Sequence, residues 1–115
     1  MERAIRVEAD TVSFMIYVGS QHEADLLEKL GQVADECEFY EMSLLAEMIP
    51  SKPCILNPYD ASSIAYSARI GAEYGADVIK TFYSGSPESF RKVTSSVPIP
   101  VMVLGGHVKE APRRC

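Results

Sequence analysis

Three features of the chain predict an α/β fold of parallel strands alternating with helices. Four short apolar runs, rich in β-branched and aromatic residues, recur along it, and such runs read as strands. Each is separated from the next by a stretch whose apolar residues return at helical spacing. The connections are short, which suits parallel strands joined by right-handed crossovers. An open doubly wound sheet and a piece of a (β/α)8 barrel both satisfy this pattern, and periodicity alone does not separate them.

The first strand is Thr11-Val12-Ser13-Phe14-Met15-Ile16-Tyr17-Val18, ended by Gly19-Ser20. From Glu23 to about Tyr40 the period becomes helical, with Leu26, Leu30, Val33 and Cys37 on one face and Leu27 and Ala34 beside them. Residues 43–49 form the second strand, stopped by Pro50. A loop containing Pro53, Asn57 and Pro58 follows, and Asp60 then suits the N-cap of a helix running to about Tyr74. Ile64, Ala65, Ala68 and Ala72 are its predicted inner face, and Gly75 sits where a left-handed terminating residue belongs.

Residues 77–83 are the third strand. Ser86 is the next N-cap, with Pro87 at the first helical position and Glu88 in the first turn, and this helix ends near Ser95 or Ser96. Residues 100–104 are the fourth strand, closed by Gly105-Gly106. Residues 1–9 read as the end of an earlier helix and 107–115 as a short polar tail. The strands are largely apolar on both faces, as when helices cover one side and a core fills the other.

The 115 residues form one predicted domain, 1–115, large enough to bury a core. Hydrophobic residues make up 47% and charged residues 23%, which excludes a disordered chain. Eleven basic against sixteen acidic residues give a net charge of −5, which argues against a nucleic-acid binder. No apolar run is long enough for a membrane helix, and no signal-peptide core opens the chain. Cys37, Cys54 and Cys115 are odd in number and far apart, so neither a disulfide framework nor a zinc site is indicated. His22 and His107 are isolated, and no metal-ligand spacing occurs. The expected setting is the reducing cytoplasm.

Lys80 is the unusual residue. Alternation along residues 78–83 puts Val78, Lys80 and Phe82 on one face and Ile79, Thr81 and Tyr83 on the other. An ammonium between Val and Phe on a buried strand is desolvated, which lowers a lysine's pKa. The neutral amine can then attack a carbonyl and form a Schiff base, an electron sink for breaking or making carbon–carbon bonds. A lysine near a strand edge that extends its head into water is the competing reading.

The stretch Ile70-Gly71-Ala72-Glu73-Tyr74-Gly75-Ala76-Asp77-Val78-Ile79-Lys80-Thr81-Phe82-Tyr83-Ser84-Gly85-Ser86-Pro87-Glu88-Ser89-Phe90 closely resembles a segment of the archaeal-type class I fructose-bisphosphate aldolases. It is also similar to their relatives, the aminodideoxyheptulosonate synthases and the phosphorylated autoinducer-2 thiolase. The likeness extends upstream through Ala9-Asp10-Thr11-Val12-Ser13 and Val18-Gly19-Ser20, and downstream through Val97-Pro98-Ile99-Pro100-Val101 to Gly105-Gly106. It implies an aldolase-type (β/α)8 barrel in which Lys80 is the Schiff-base residue on the sixth strand. It further implies a phosphorylated ketose or aldehyde substrate, a phosphate held by the backbone of Gly105 and Gly106 after the seventh strand, and no cofactor. Such a placement agrees with barrel phosphate sites in general.

The departures from the family are informative. Many of its aldolases carry a Tyr-Pro-Arg-Gly stretch after the fifth strand, whose tyrosine is the acid/base. This chain reads Met48-Ile49-Pro50-Ser51-Lys52, so Ile49 stands in the tyrosine's place. Glu47, on the same side as Leu45 and Ile49, is the alternative proton shuttle. Tyr17 falls at an upper strand position in the resemblance, where it lines the pocket. The family glycine pair continues with Pro-Lys, whereas His107-Val108-Lys109 follows here.

Length is the largest departure. A full barrel takes about 250 residues, and this chain matches the fourth to seventh strands alone. Such a piece leaves two open strand edges and one open apolar face, so pairing with a missing barrel half or with a second copy is expected. Ala111-Pro112-Arg113-Arg114-Cys115 does not resemble the family's continuation, as a truncated or frameshifted reading frame would leave it. The competing functional readings are a catalytically inactive remnant or self-associating module, and a small flavodoxin-like phosphoryl binder. Against the last, no Gly-rich loop follows the first strand.

Overall fold

The computed structural model describes residues 11–104. Four parallel strands form one sheet in the order β1-β2-β3-β4, each joined to the next by a helix. The strands are β1 (Thr11–Val18), β2 (Ser43–Pro50), β3 (Val78–Thr81) and β4 (Val101–Val103). The helices are α1 (Glu23–Tyr40), α2 (Ala61–Glu73) and α3 (Pro87–Thr94). Strand order equal to chain order is that of a barrel wall. A doubly wound sheet reverses its order at a switch point, so the open doubly wound alternative is set aside.

One face of the sheet carries the core. Ile16 and Val18 of β1, Leu44, Ala46 and Met48 of β2, and Ile79 of β3 are buried there against Leu30 and Cys37 of α1 and Ile64 and Ala68 of α2. Each fully buried Ile or Leu contributes roughly 1.5–3 kcal/mol. The predicted helical stripe of α1 is this packing surface. No helix among the described residues covers the opposite face, where Ser13, Met15 and Tyr17 are exposed and Leu45, Glu47, Val78 and Lys80 half-buried.

The helix ends follow their predicted chemistry. Asp60 accepts hydrogen bonds from the Ser62 and Ser63 amides at the start of α2, and Ser86 accepts one from the Ser89 amide at the start of α3. Gly75 has φ +106°, the left-handed conformation assigned to it. The predicted helix at residues 1–9 lies outside the described residues.

Four details differ from the sequence reading. In α2 the fully buried positions are Ile64, Ser67, Ala68 and Gly71, while Ala65 and Ala72 are only half-buried. The helix turns its glycine to the sheet: a Cβ at Gly71 would come within 2.7 Å of Ile79 and 2.8 Å of Met48. Ser67 tolerates burial because its hydroxyl donates to the Ser63 carbonyl.

The other three concern strand ends. β2 runs through Pro50, which pairs with Val18, instead of stopping before it. β3 starts one residue later than predicted because the Asp77 carboxylate itself accepts from the Leu44 amide, at 2.8 Å. It stops at Thr81, beyond which the chain leaves the ladder at Phe82. β4 is trimmed at both ends. Pro100 has no N–H to give, and Leu104 retains one bond, from its amide to the Thr81 carbonyl.

Candidate active site

The direction of the Lys80 side chain is set by its neighbours. Ile79 and Thr81 are fully buried on the helix side, and the Thr81 hydroxyl donates to the Met48 carbonyl at 2.7 Å. Alternation then sends Lys80 to the open face. Parallel register pairs Lys80 with Glu47, and the Lys80 Nζ lies 3.7 Å from a Glu47 carboxylate oxygen. The two side chains keep 30% and 20% of their surface exposed. The flanking Val78 and Phe82 are as expected, yet this lysine is paired and partly solvated rather than sealed in carbon.

The register extends the level of this pair across the sheet. Met15 lies opposite Glu47, and Met102 opposite Lys80. One acid and one amine therefore sit side by side, with a methionine on each flank. Toward the carboxyl ends of the strands, Tyr17 pairs with Ile49. Tyr17 is 45% exposed and Ile49 only 6%, so the isoleucine seals the floor while the tyrosine stands free.

The loop between β2 and α2 closes over the same end. The Ser51 amide donates to the Val18 carbonyl and the Cys54 amide to the Gly19 carbonyl. Gly19 is required here: it has φ +93°, and a Cβ would meet the Ser51 carbonyl oxygen at 2.5 Å. From this loop Tyr59 stacks on Phe82 with ring centroids 4.5 Å apart. Lys80, Glu47, Tyr17 and this aromatic pair thus gather near one end of the sheet, the end where barrel enzymes place their chemistry. Gly105 and Gly106 lie outside the described residues.

A concavity of about 460 Å³ opens at the opposite end, before β2 and β3. Asp35, Glu38, Glu41 and Asp77 line it together with Cys37, a charge that repels phosphorylated anions. Burial, then the charges of Asp77 and Glu36, push the Cys37 thiol above its ordinary pKa. No group of three or more His, Cys, Asp or Glu among the described residues is arranged to hold a metal ion. No described helix is long and apolar enough to cross a membrane.

Sequence reasoning singled out Lys80, Glu47 and Tyr17, and alternation gave the faces of Lys80 and Glu47. It missed the Lys80–Glu47 ion pair and the Tyr59–Phe82 stack. The first depends on register between strands and the second on a loop conformation, and neither leaves a periodic trace.

The comparison with known proteins agrees with the fold. The chain is 42% identical over 106 residues to the 2-amino-3,7-dideoxy-D-threo-hept-6-ulosonate synthase of Halobacterium salinarum, covering 92% of this chain and 40% of that protein. It is 32% identical over 114 residues to the 3-hydroxy-5-phosphonooxypentane-2,4-dione thiolase of Yersinia pestis, covering 99% and 37%. It superposes on a Schiff-base-forming fructose-1,6-bisphosphate aldolase with a TM-score of 0.88 at 31% identity, covering 91% of this chain and 42% of that one. An archaeal fructose 1,6-bisphosphate aldolase gives the same TM-score at 30% identity, covering 92% and 42%. The chain therefore spans about 40% of the length of these relatives. The model of the DeoC/LacD family aldolases matches residues 1–114, and with four parallel strands in barrel order the chain belongs to that family.

Proposed function

We propose that the chain carries the Schiff-base portion of a class I aldolase site acting on a phosphorylated ketose or aldehyde. The observation that carries this reading is the Lys80 amine 3.7 Å from the Glu47 carboxylate on the open strand face. Adjacent acid and amine accomplish the proton bookkeeping of imine formation. Glu47 takes a proton from the ammonium, leaving an amine that adds to the substrate carbonyl. It returns that proton to the departing hydroxyl, so that a protonated imine and one water result. Bond cleavage next to the iminium then delivers its electron pair to nitrogen.

Gly105 and Gly106 are the proposed phosphate cradle, through backbone N–H groups. Tyr17 lines the pocket wall, and no metal or organic cofactor is needed. The open face and the two sheet edges are proposed to be completed by further barrel strands, from a missing half or a second copy, and the setting is the cytoplasm. The nature of the relatives' substrates, a phosphonooxy ketone in the thiolase and a fructose bisphosphate in the aldolases, supports a phosphorylated substrate.

Borohydride reduction in the presence of dihydroxyacetone phosphate tests this reading. A mass increment mapped to Lys80, absent in Lys80→Met, is expected. A folded chain that yields no adduct would reduce it to a catalytically inactive member of the fold.

A further inference from the structure

Lys80 and Glu47 share one level of the open face, and the next level toward the carboxyl ends has a different character. Tyr17 is paired there with Ile49. Beyond the last paired residues of the neighbouring strands, Thr81 and Val103, the chain continues with Phe82 and Leu104. Of these four side chains, Ile49, Phe82 and Leu104 have no exchangeable proton. The Tyr17 side chain is 45% exposed, and its hydroxyl has no partner among the described residues.

Two residues of parallel strand rise about 6.6 Å. A ketone attached to the Lys80 nitrogen from the carboxyl ends therefore has its remaining carbons running past this level. Carbon–carbon cleavage requires a proton to reach the carbon beside the iminium. Glu47 is set one level lower, against the amine nitrogen itself.

We propose that Tyr17 is the catalytic residue that transfers the proton at this carbon, a role that rests on the Schiff-base reading of Lys80. In cleavage, the electron pair of the breaking carbon–carbon bond flows onto the iminium and leaves an enamine, while the hydroxyl proton of the departing aldehyde passes to water. The Tyr17 phenol gives its proton to the enamine carbon and restores the iminium. The phenolate recovers a proton from water, and hydrolysis of the iminium releases the ketone and free Lys80.

The experiment is deuterium exchange into dihydroxyacetone phosphate in heavy water, run beside borohydride trapping on the same full-length chain. Exchange runs the carbon-protonation step in both directions. Tyr17→Phe is expected to keep the trapped adduct on Lys80 while slowing carbon-bound deuterium uptake roughly a hundredfold or more. Undiminished exchange in Tyr17→Phe would overturn the assignment. So would loss of adduct and exchange together at an unchanged melting temperature, because Tyr17 would then act in binding. An unmodified parent chain that forms no adduct removes the Schiff-base reading itself, and Tyr17 is left with no reaction to serve.

Discussion

Lys80 and Glu47 face each other from register-paired positions of adjacent parallel strands, with 3.7 Å between amine nitrogen and carboxylate oxygen. Each is held there by a buried neighbour: Thr81 bonds to the Met48 carbonyl, which fixes the two strands against one another. If this pair handles the protons of imine formation, Glu47→Gln keeps the shape and removes the base. The rate of borohydride-trappable adduct formation is then expected to fall roughly a hundredfold or more, while the circular dichroism spectrum stays unchanged. A trapping rate equal to that of the parent chain would remove Glu47 from the chemistry.

Thr81 offers a stability test of the same arrangement. Thr81→Val keeps the shape but strands the buried Met48 carbonyl without its donor. A loss of about 1–3 kcal/mol is expected in urea unfolding, with the midpoint shifted and the slope unchanged.

Gly71 tests the packing of α2 on the sheet. A methyl there meets Ile79 and Met48 side chains at 2.7 and 2.8 Å. Although alanine is the better helix former by about 1 kcal/mol, Gly71→Ala is expected to destabilise, since overpacking a core costs about 1–3 kcal/mol. A Gly71→Ala variant more stable than the parent in urea would show that α2 sits farther from the sheet than described.

The two described cysteines predict a contrast in reactivity. Cys54 is exposed, while Cys37 is buried and its thiol is pushed up by burial and by the carboxylates of Asp77 and Glu36. Iodoacetamide at neutral pH, followed by peptide mapping, should modify Cys54 well before Cys37. The linkage has a definite sign. A thiol whose pKa is raised in the folded state contributes stability below the ordinary thiol range, about 8.5, and loses it as pH climbs through the folded value. Urea midpoints at mildly alkaline pH should therefore fall less in Cys37→Ala than in the parent chain.

The residues Asp60, Ser86, Pro87 and Gly75 fixed the ends of helices locally. Each acts through its own side chain or backbone on groups within a few positions, so their meaning was readable in the chain. The strands were legible for the same reason, since alternation tells which residues share a face. That alternation already aimed Lys80 away from Thr81 and grouped Glu47 with Leu45. The late start of β3 was not legible, because the Asp77 carboxylate takes the place of a backbone acceptor from another strand.

The amino-acid sequence by itself therefore determined the alternation of strands and helices, the caps, and the lysine with its flanking Val78 and Phe82. Tertiary structure alone decided that Glu47 comes to lie beside Lys80, that Tyr17 stands across from Ile49, and that Gly71 rather than Ala72 meets the sheet. Local patterns record a residue's face, because backbone geometry repeats along one element. They carry no record of register or helix rotation, which are chosen when separately formed elements compete for the closest packing.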